Sequence, residues 1–155
     1  MVGSSSPPKA VNAATVHSYS ERGAGHYEDP MNKNFLYGDI TVRFLEQISF
    51  QTRDKDILDI GCGSGLFSYS AYRLGANHVV SFDVDPFSVE CCRYMHQKAD
   101  SPENWQVLEG SILDSEFTDS LGKFDIVCSW GVLHHTGKMW ESIKNAATLV
   151  HQGGF

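Results

Sequence analysis

Asp56-Ile57-Leu58-Asp59-Ile60-Gly61-Cys62-Gly63-Ser64-Gly65 is the stretch that decides the fold. Its first five residues form a short apolar run of the length a buried strand uses. The glycines that follow let the backbone turn sharply and lie against a ligand that side chains would push away. A plain tight turn would use the same glycines. A dinucleotide loop would continue with Gly or Ala at position 66, where helix and strand pack closely. This chain has Leu66 and then Phe67, so the loop suits a ligand other than a pyrophosphate.

Working outward, a helix is expected to run from the loop to about Leu74. His78 to Phe82 reads as a second strand and Pro86 to His96 as a helix, with proline in its first turn. Trp105 to Leu108 reads as a third strand, Ser115 to Leu121 as a short helix, and Phe124 to Cys128 as a fourth strand. Lys138 to Val150 is the last helix, closed by Gly153-Gly154. Strands alternating with helices argue for an α/β fold, a parallel sheet with right-handed crossovers and helices on both faces. Ligands in such sheets sit outside the carboxyl ends of the strands, and each unusual cluster in this chain falls at such an end. Upstream, Ser, Gly, Pro and Ala dominate residues 1–27, which reads as a flexible segment ahead of a domain over 28–155. Ile40, Phe44, Leu45 and Ile48 recur at helical spacing, so a helix is expected from about Phe35 to Ser49.

Composition narrows the function. The 155 residues carry a net charge of −7 and no basic run, which argues against a nucleic-acid partner and an anionic membrane surface. No apolar stretch approaches the length of a membrane span. Cys62, Cys91, Cys92 and Cys128 lack metal-ligand spacing and read as reduced thiols, implying a cytoplasmic protein. His134-His135 has no third ligand at sensible spacing, so no metal is expected.

The carboxylates divide by position. Asp59, two residues before the first glycine, is either a cap for the following turn or an anion facing a cation. Asp83 ends the second strand, 18 residues beyond Gly65, where a carboxylate can accept from both hydroxyls of a ribose. Asp85 reads as the cap of the helix that Pro86 begins.

Four segments together resemble the class I S-adenosylmethionine (SAM)-dependent methyltransferases. Ile57 to Gly65 is similar to their first motif, and Phe82-Asp83-Val84-Asp85-Pro86 to their acidic second. Glu109-Gly110-Ser111-Ile112-Leu113-Asp114 is similar to the segment that holds adenine, and Phe124 to His135 to the fourth motif and its loop. The resemblance covers about Asp56 to Gly154. It implies SAM as cofactor, with Asp59, Gly61, Cys62, Gly63 and Gly65 along its methionine part. Asp83 and Val84 would lie at the ribose, and Ser111 and Ile112 at adenine. Many relatives have an acidic residue where Ser111 stands, and serine is a weaker acceptor. Ser129 and Trp130 would follow the fourth strand where the methyl group faces the acceptor. His134 and His135 are the nearby candidates for a catalytic base, needed only if the acceptor must lose a proton. Tyr19, His26 and Tyr27 lie where relatives often place a lid, and an ordered tail packed on the sheet accounts for them equally.

The loop after the fourth strand lacks the Pro-Pro-aromatic sequence of relatives that methylate exocyclic or amide nitrogens, which favours a small-molecule acceptor. A module that binds SAM or another nucleoside without turnover is the alternative, and a nicotinamide-linked oxidoreductase a distant third. The resemblance also implies seven strands in the order 3-2-1-4-5-7-6, and Gly153-Gly154-Phe155 falls where the fifth would start. The fourth strand is therefore expected to be an unpaired edge, through which the chain would self-associate.

Overall fold

The computed structural model describes residues 52–155, so the expected flexible segment, the 35–49 helix, Tyr19, His26 and Tyr27 lie outside the described residues. The elements follow the expected alternation: β1 (Asp56–Ile60), α1 (Leu66–Arg73), β2 (His78–Asp83), α2 (Pro86–Lys98), β3 (Trp105–Glu109), α3 (Ser115–Leu121), β4 (Ile126–Cys128), a 3-10 turn (Leu133–His135) and α4 (Met139–Thr148). The four strands are parallel, in the order β3-β2-β1-β4.

Alternation along the strands divides the core into two layers. Ile57, Val79, Trp105 and Ile126 pack with Ala71 of α1 and with Cys92 and Met95 of α2. Leu58, Ile60, Val80 and Phe82 pack on the other face with Ala146 of α4, and Phe117 and Leu121 of α3 lie against them. The first two helices thus cover one face and the last two the other, which is the doubly wound α/β arrangement. Strand order reverses between β1 and β4, and the crevice at their carboxyl ends is the topological switch point.

Two carboxylates set helix starts. Asp85 accepts from the Ser88 N–H at 3.0 Å, with Pro86 in the first turn of α2. Asp114 accepts from the N–H groups of Glu116 and Phe117 at 3.0 and 3.2 Å. Caps of this kind contribute about 1 kcal/mol each.

β4 is the edge strand of the sheet, as expected, but the expectation that this edge is wholly unpaired is corrected. Phe124 forms a parallel bridge with Val150, donating to the Leu149 carbonyl and accepting from the His151 N–H. Phe155 donates to the Asp125 carbonyl and accepts from the Val127 N–H, both at 2.8 Å. Turning back after α4, the backbone at 149–155 therefore supplies partners to Phe124 and Asp125 at the entry to β4 and to Val127 within it. The ladder to β1 runs from Ile57–Ile126 to Asp59–Cys128, so β4 begins at Ile126, two residues later than expected.

An ionic cluster fastens the same segment. Asp125 accepts from the Asp56 N–H at 2.9 Å and faces Lys55 at 3.5 Å. His151 sets Nε2 against Asp125 Oδ1 at 2.6 Å and Nδ1 against the Gln152 carbonyl at 2.7 Å. Both ring nitrogens face acceptors, so the imidazolium is the form that satisfies both. The Asp125 hydrogen bond, followed by the Gln152 carbonyl, raises the His151 pKa. Asp125 is held below the usual carboxylate range, first by the Asp56 N–H and then by His151. A raised histidine contributes stability that is complete below its unfolded pKa and is lost as pH rises through the folded value. A lowered carboxylate contributes above its unfolded pKa and fails as pH falls through the folded value. The melting-temperature penalty of His151→Ala should therefore be largest between those limits. It should shrink to nothing above the raised histidine value, which the NMR titration of His151 in the wild type will locate. A penalty independent of pH would show that the charge contributes nothing.

Candidate cofactor site at the switch point

The glycine loop is built inward. The N–H groups of Gly61 and Cys62 both donate to the Phe82 carbonyl, at 2.8 and 3.0 Å, and that of Gly65 donates to the Cys62 carbonyl at 2.8 Å. The Gly63 N–H donates to Asp83 Oδ2 at 3.0 Å. A pyrophosphate-binding loop turns such groups outward toward its anion. Here four of the five are committed to the protein, which leaves the ligand side of the loop to backbone surface. A Cβ on Gly63 would meet nothing within 4 Å, so the chain is bare toward open space there. At Gly61 the reverse holds: φ is +72°, and a Cβ would lie 2.5 Å from both methyl carbons of Val132, which follows β4. Gly65 lets α1 approach α2, since a Cβ would lie 2.7 Å from Cys92 Sγ.

Asp83 is the hinge of the site. Half-buried at the end of β2, it accepts from Gly63 through one oxygen and from the Asp85 N–H, at 3.0 Å, through the other. A carboxylate has about four acceptor positions, so room remains for two further donors. Val84 beside it is 69% exposed, an apolar surface at the rim.

Asp59 is placed differently from a residue at an open rim. It is 3% exposed, and Oδ2 accepts from Ser68 Oγ at 2.5 Å. Burial outweighs the Ser68 hydrogen bonds and pushes its carboxyl up to about 6. The Cys62 side chain also points into the core. Its hydrogen bond with Cys92, followed by burial, pushes the thiol far up and keeps it neutral. Any contact from Cys62 to a ligand must come from its backbone.

The remaining residues gather at the same end of the sheet. Ser111 accepts from the Leu113 N–H at 3.2 Å, and the Ile112 carbonyl accepts from Asn145 Nδ2 of α4 at 2.9 Å. The Ile112–Leu113 peptide is thus held at both its carbonyl and its N–H, while the Ile112 side chain is buried. Ser129 donates to the Ile60 carbonyl at 3.2 Å and ties the ends of β1 and β4 across the switch point. His134 and His135 are exposed on the 3-10 turn, with ring centroids 3.9 Å apart. Trp130, 62% exposed, stands 5.9 Å from the Phe67 ring at the start of α1.

Sequence reasoning missed Val132, Asn145, Ser68 and Ser81. Ser81 could have been flagged as a hydroxyl inside the apolar run Val79-Val80-Ser81-Phe82. The other three become visible only when elements distant in sequence meet.

The profile of a methyltransferase domain matches residues 57–154. The ribosomal protein L11 methyltransferase of Lachnospira eligens is 33% identical over 94 residues, which are 57% of this chain and 30% of that protein. The ubiquinone biosynthesis O-methyltransferase of Coxiella burnetii is 28% identical over 119 residues, 77% of this chain and 48% of that one. The chain therefore spans less than half of either relative. Among solved structures, magnesium protoporphyrin IX methyltransferase of Synechocystis, with S-adenosylhomocysteine (SAH) bound, superposes with a TM-score of 0.59 at 19% identity. That match covers 86% of this chain and 63% of that one. An O-methyltransferase family protein of Burkholderia thailandensis gives 0.61 at 18% identity, over 90% and 50%. At these identities the structures speak for the fold alone.

Proposed function

The chain belongs to the methyltransferase-domain family, in its class I, SAM-dependent form, and from that premise we propose that it binds SAM across the β1–β4 switch point and methylates a small molecule. The observation that carries the reading is the inward-turned glycine loop pinned to Asp83. It leaves bare backbone and a carboxylate with spare acceptor positions side by side.

Those residues fit the group. Asp83 would accept from the two ribose hydroxyls while still holding Gly63. Val84 offers apolar surface at the rim, and Ile112 and Ser111 form the fixed edge for the purine. Gly61, Cys62, Gly63 and Gly65 would pass the methionine part by backbone alone, with Asp59 supplying negative charge from behind. When bound, SAM supplies an electrophilic methyl group together with its own leaving group. The protein's work is then to place the acceptor in line and keep water out.

Ser129 fixes the floor of that face, and Trp130 with Phe67 forms an aromatic wall beside it. His134 or His135 would take the acceptor's proton where it has one to lose. The net charge of −7 supports a small acceptor over a nucleic acid. The Coxiella relative's name, an O-methyltransferase of ubiquinone biosynthesis, agrees. Cys62, Cys91, Cys92 and Cys128 are all free thiols, as suits the reducing cytoplasm.

Incubation with methyl-tritiated SAM and a fractionated small-molecule extract tests this, with ribosomal protein and RNA in parallel. Label in a small molecule is the expected result; label in protein or RNA alone would overturn the acceptor class. Replacing whichever histidine acts as base, by His134→Ala or His135→Ala, should lower turnover about 100-fold or more with the cofactor Kd unchanged. Binding without turnover is the second reading. Cofactor binding with no label transferred to any acceptor would favour it.

A further inference from the structure

A file of buried polar groups runs through the layer under α1 and α2. Trp105 Nε1 of β3 donates to Ser81 Oγ of β2 at 2.8 Å, and Ser81 Oγ donates to Ser68 Oγ of α1 at 2.6 Å. Ser68 Oγ in turn donates to Asp59 Oδ2 of β1 at 2.5 Å. All four residues are buried, and Ser68 and Ser81 are wholly inaccessible. The direction of each bond is fixed by chemistry: an indole N–H only donates, so Ser81 must accept from it and pass its own proton on, and an ionised carboxylate only accepts.

We infer that Trp105, Ser81 and Ser68 form a one-way hydrogen-bonded relay that holds Asp59 as a buried carboxylate behind the glycine loop, and through it set the affinity of the site for its cationic cofactor. The inference rests on the proposed function for the identity of the cofactor and on the geometry for the rest. Hydroxyls at positions 68 and 81 cost free energy to bury, and each is repaid only by its neighbours in the file. Chains of this kind polarise one another, so the indole strengthens the final bond to Asp59 without touching it. Ser68, Ser81 and Trp105 are positioning residues in this scheme, since they reach the site only through Asp59. The other titratable groups facing Asp59 are Asp83, Cys62 and Cys128. Burial pushes the Cys128 thiol to about 12 and Cys62 is held neutral as well.

The test follows the Asp59 carboxyl carbon by NMR from pH 4 to 9 in the cofactor-free 155-residue chain. SAM Kd is measured over the part of that range where the protein stays folded. In the wild type, Kd should rise about threefold to fourfold between pH 7.5 and 5.5 as Asp59 takes up a proton. Asp59→Asn should abolish that rise, which separates it from any contribution of His134 or His135. Ser68→Ala should move the Asp59 midpoint upward by about one to two pH units. Trp105→Phe keeps a ring in the core but removes the donor; it should move the midpoint the same way by less, and it serves if Ser68→Ala does not fold. A merely structural role would weaken binding equally at every pH with the Asp59 midpoint unmoved, and that result would overturn the relay. A wild-type Kd flat across the range would overturn its link to affinity. Failure of the wild type to bind SAM at any pH would overturn the proposed function, and with it the affinity half of this inference, while the Asp59 titration still decides the relay.

Discussion

Asp83→Ala is expected to weaken SAH binding by about 100-fold or more. The carboxylate would accept two hydrogen bonds from the ribose, each worth about 1.5–3 kcal/mol when the acceptor is charged, and a loss of that size corresponds to two decades or more in Kd. The same substitution releases the Gly63 N–H, which Asp83 holds at 3.0 Å, so the loop loses its tether to β2 as well. Asp83→Asn should fall in between, because the amide keeps one acceptor oxygen and turns the other position into a donor. The melting temperature should change little, since Asp83 stands at the carboxyl end of β2 and outside both core layers. Retention of wild-type affinity by Asp83→Ala, with the fold intact, would remove the ribose from this position.

The second large effect is expected in stability. Gly61→Ala places a methyl group 2.5 Å from both Val132 methyl carbons at a backbone φ of +72°. Left-handed backbone costs a residue with a Cβ about 1–2 kcal/mol, and overpacking adds about 1–3 kcal/mol, so urea unfolding should show a loss of about 2–5 kcal/mol. The double variant Gly61→Ala/Val132→Ala separates the two causes: it relieves the collision and leaves the strain, and should be more stable than the sum of the single variants implies. Strict additivity would mean that Val132 does not press on the loop. The pair matters for function because it locks the turn after β1 to the turn after β4, the two rims of the crevice.

Local pattern was enough for most of the fold. Among the described residues, β1 and α3 match their expected bounds, the other helices and strands differ by up to two residues at either end, and the order β3-β2-β1-β4 is the one the family resemblance implied. Asp85 was legible as a cap because the residue before a helix-starting proline has that one local role. The partial cover of the β4 edge was not legible in that strand's own sequence. Its partners are backbone groups at 149–155 that return after α4, and nothing in the apolar run Phe124 to Cys128 announces them. Among the candidate site residues, Asp83 and the glycines were proposed from chemistry at fixed offsets, and the structure brings Asp83 and Gly63 within a hydrogen bond. For Asp59 both readings open in the sequence draw on its position, and what settles its surroundings is Ser68, nine residues on, with Ser81 and Trp105 beyond it. Local periodicity reports the neighbours along one element and is blind to a file of side chains that crosses three strands and a helix. Asn145, 33 residues from the carbonyl it holds, escaped for the same reason.

Isothermal titration of SAH into the wild-type chain, repeated in the presence of NADH, tests the central claim most directly. One saturable site is expected whose affinity NADH leaves unchanged, because the glycine loop commits four of its five N–H groups internally and has little left to offer a pyrophosphate. Displacement of SAH by NADH, or heat from NADH and none from SAH, would contradict it.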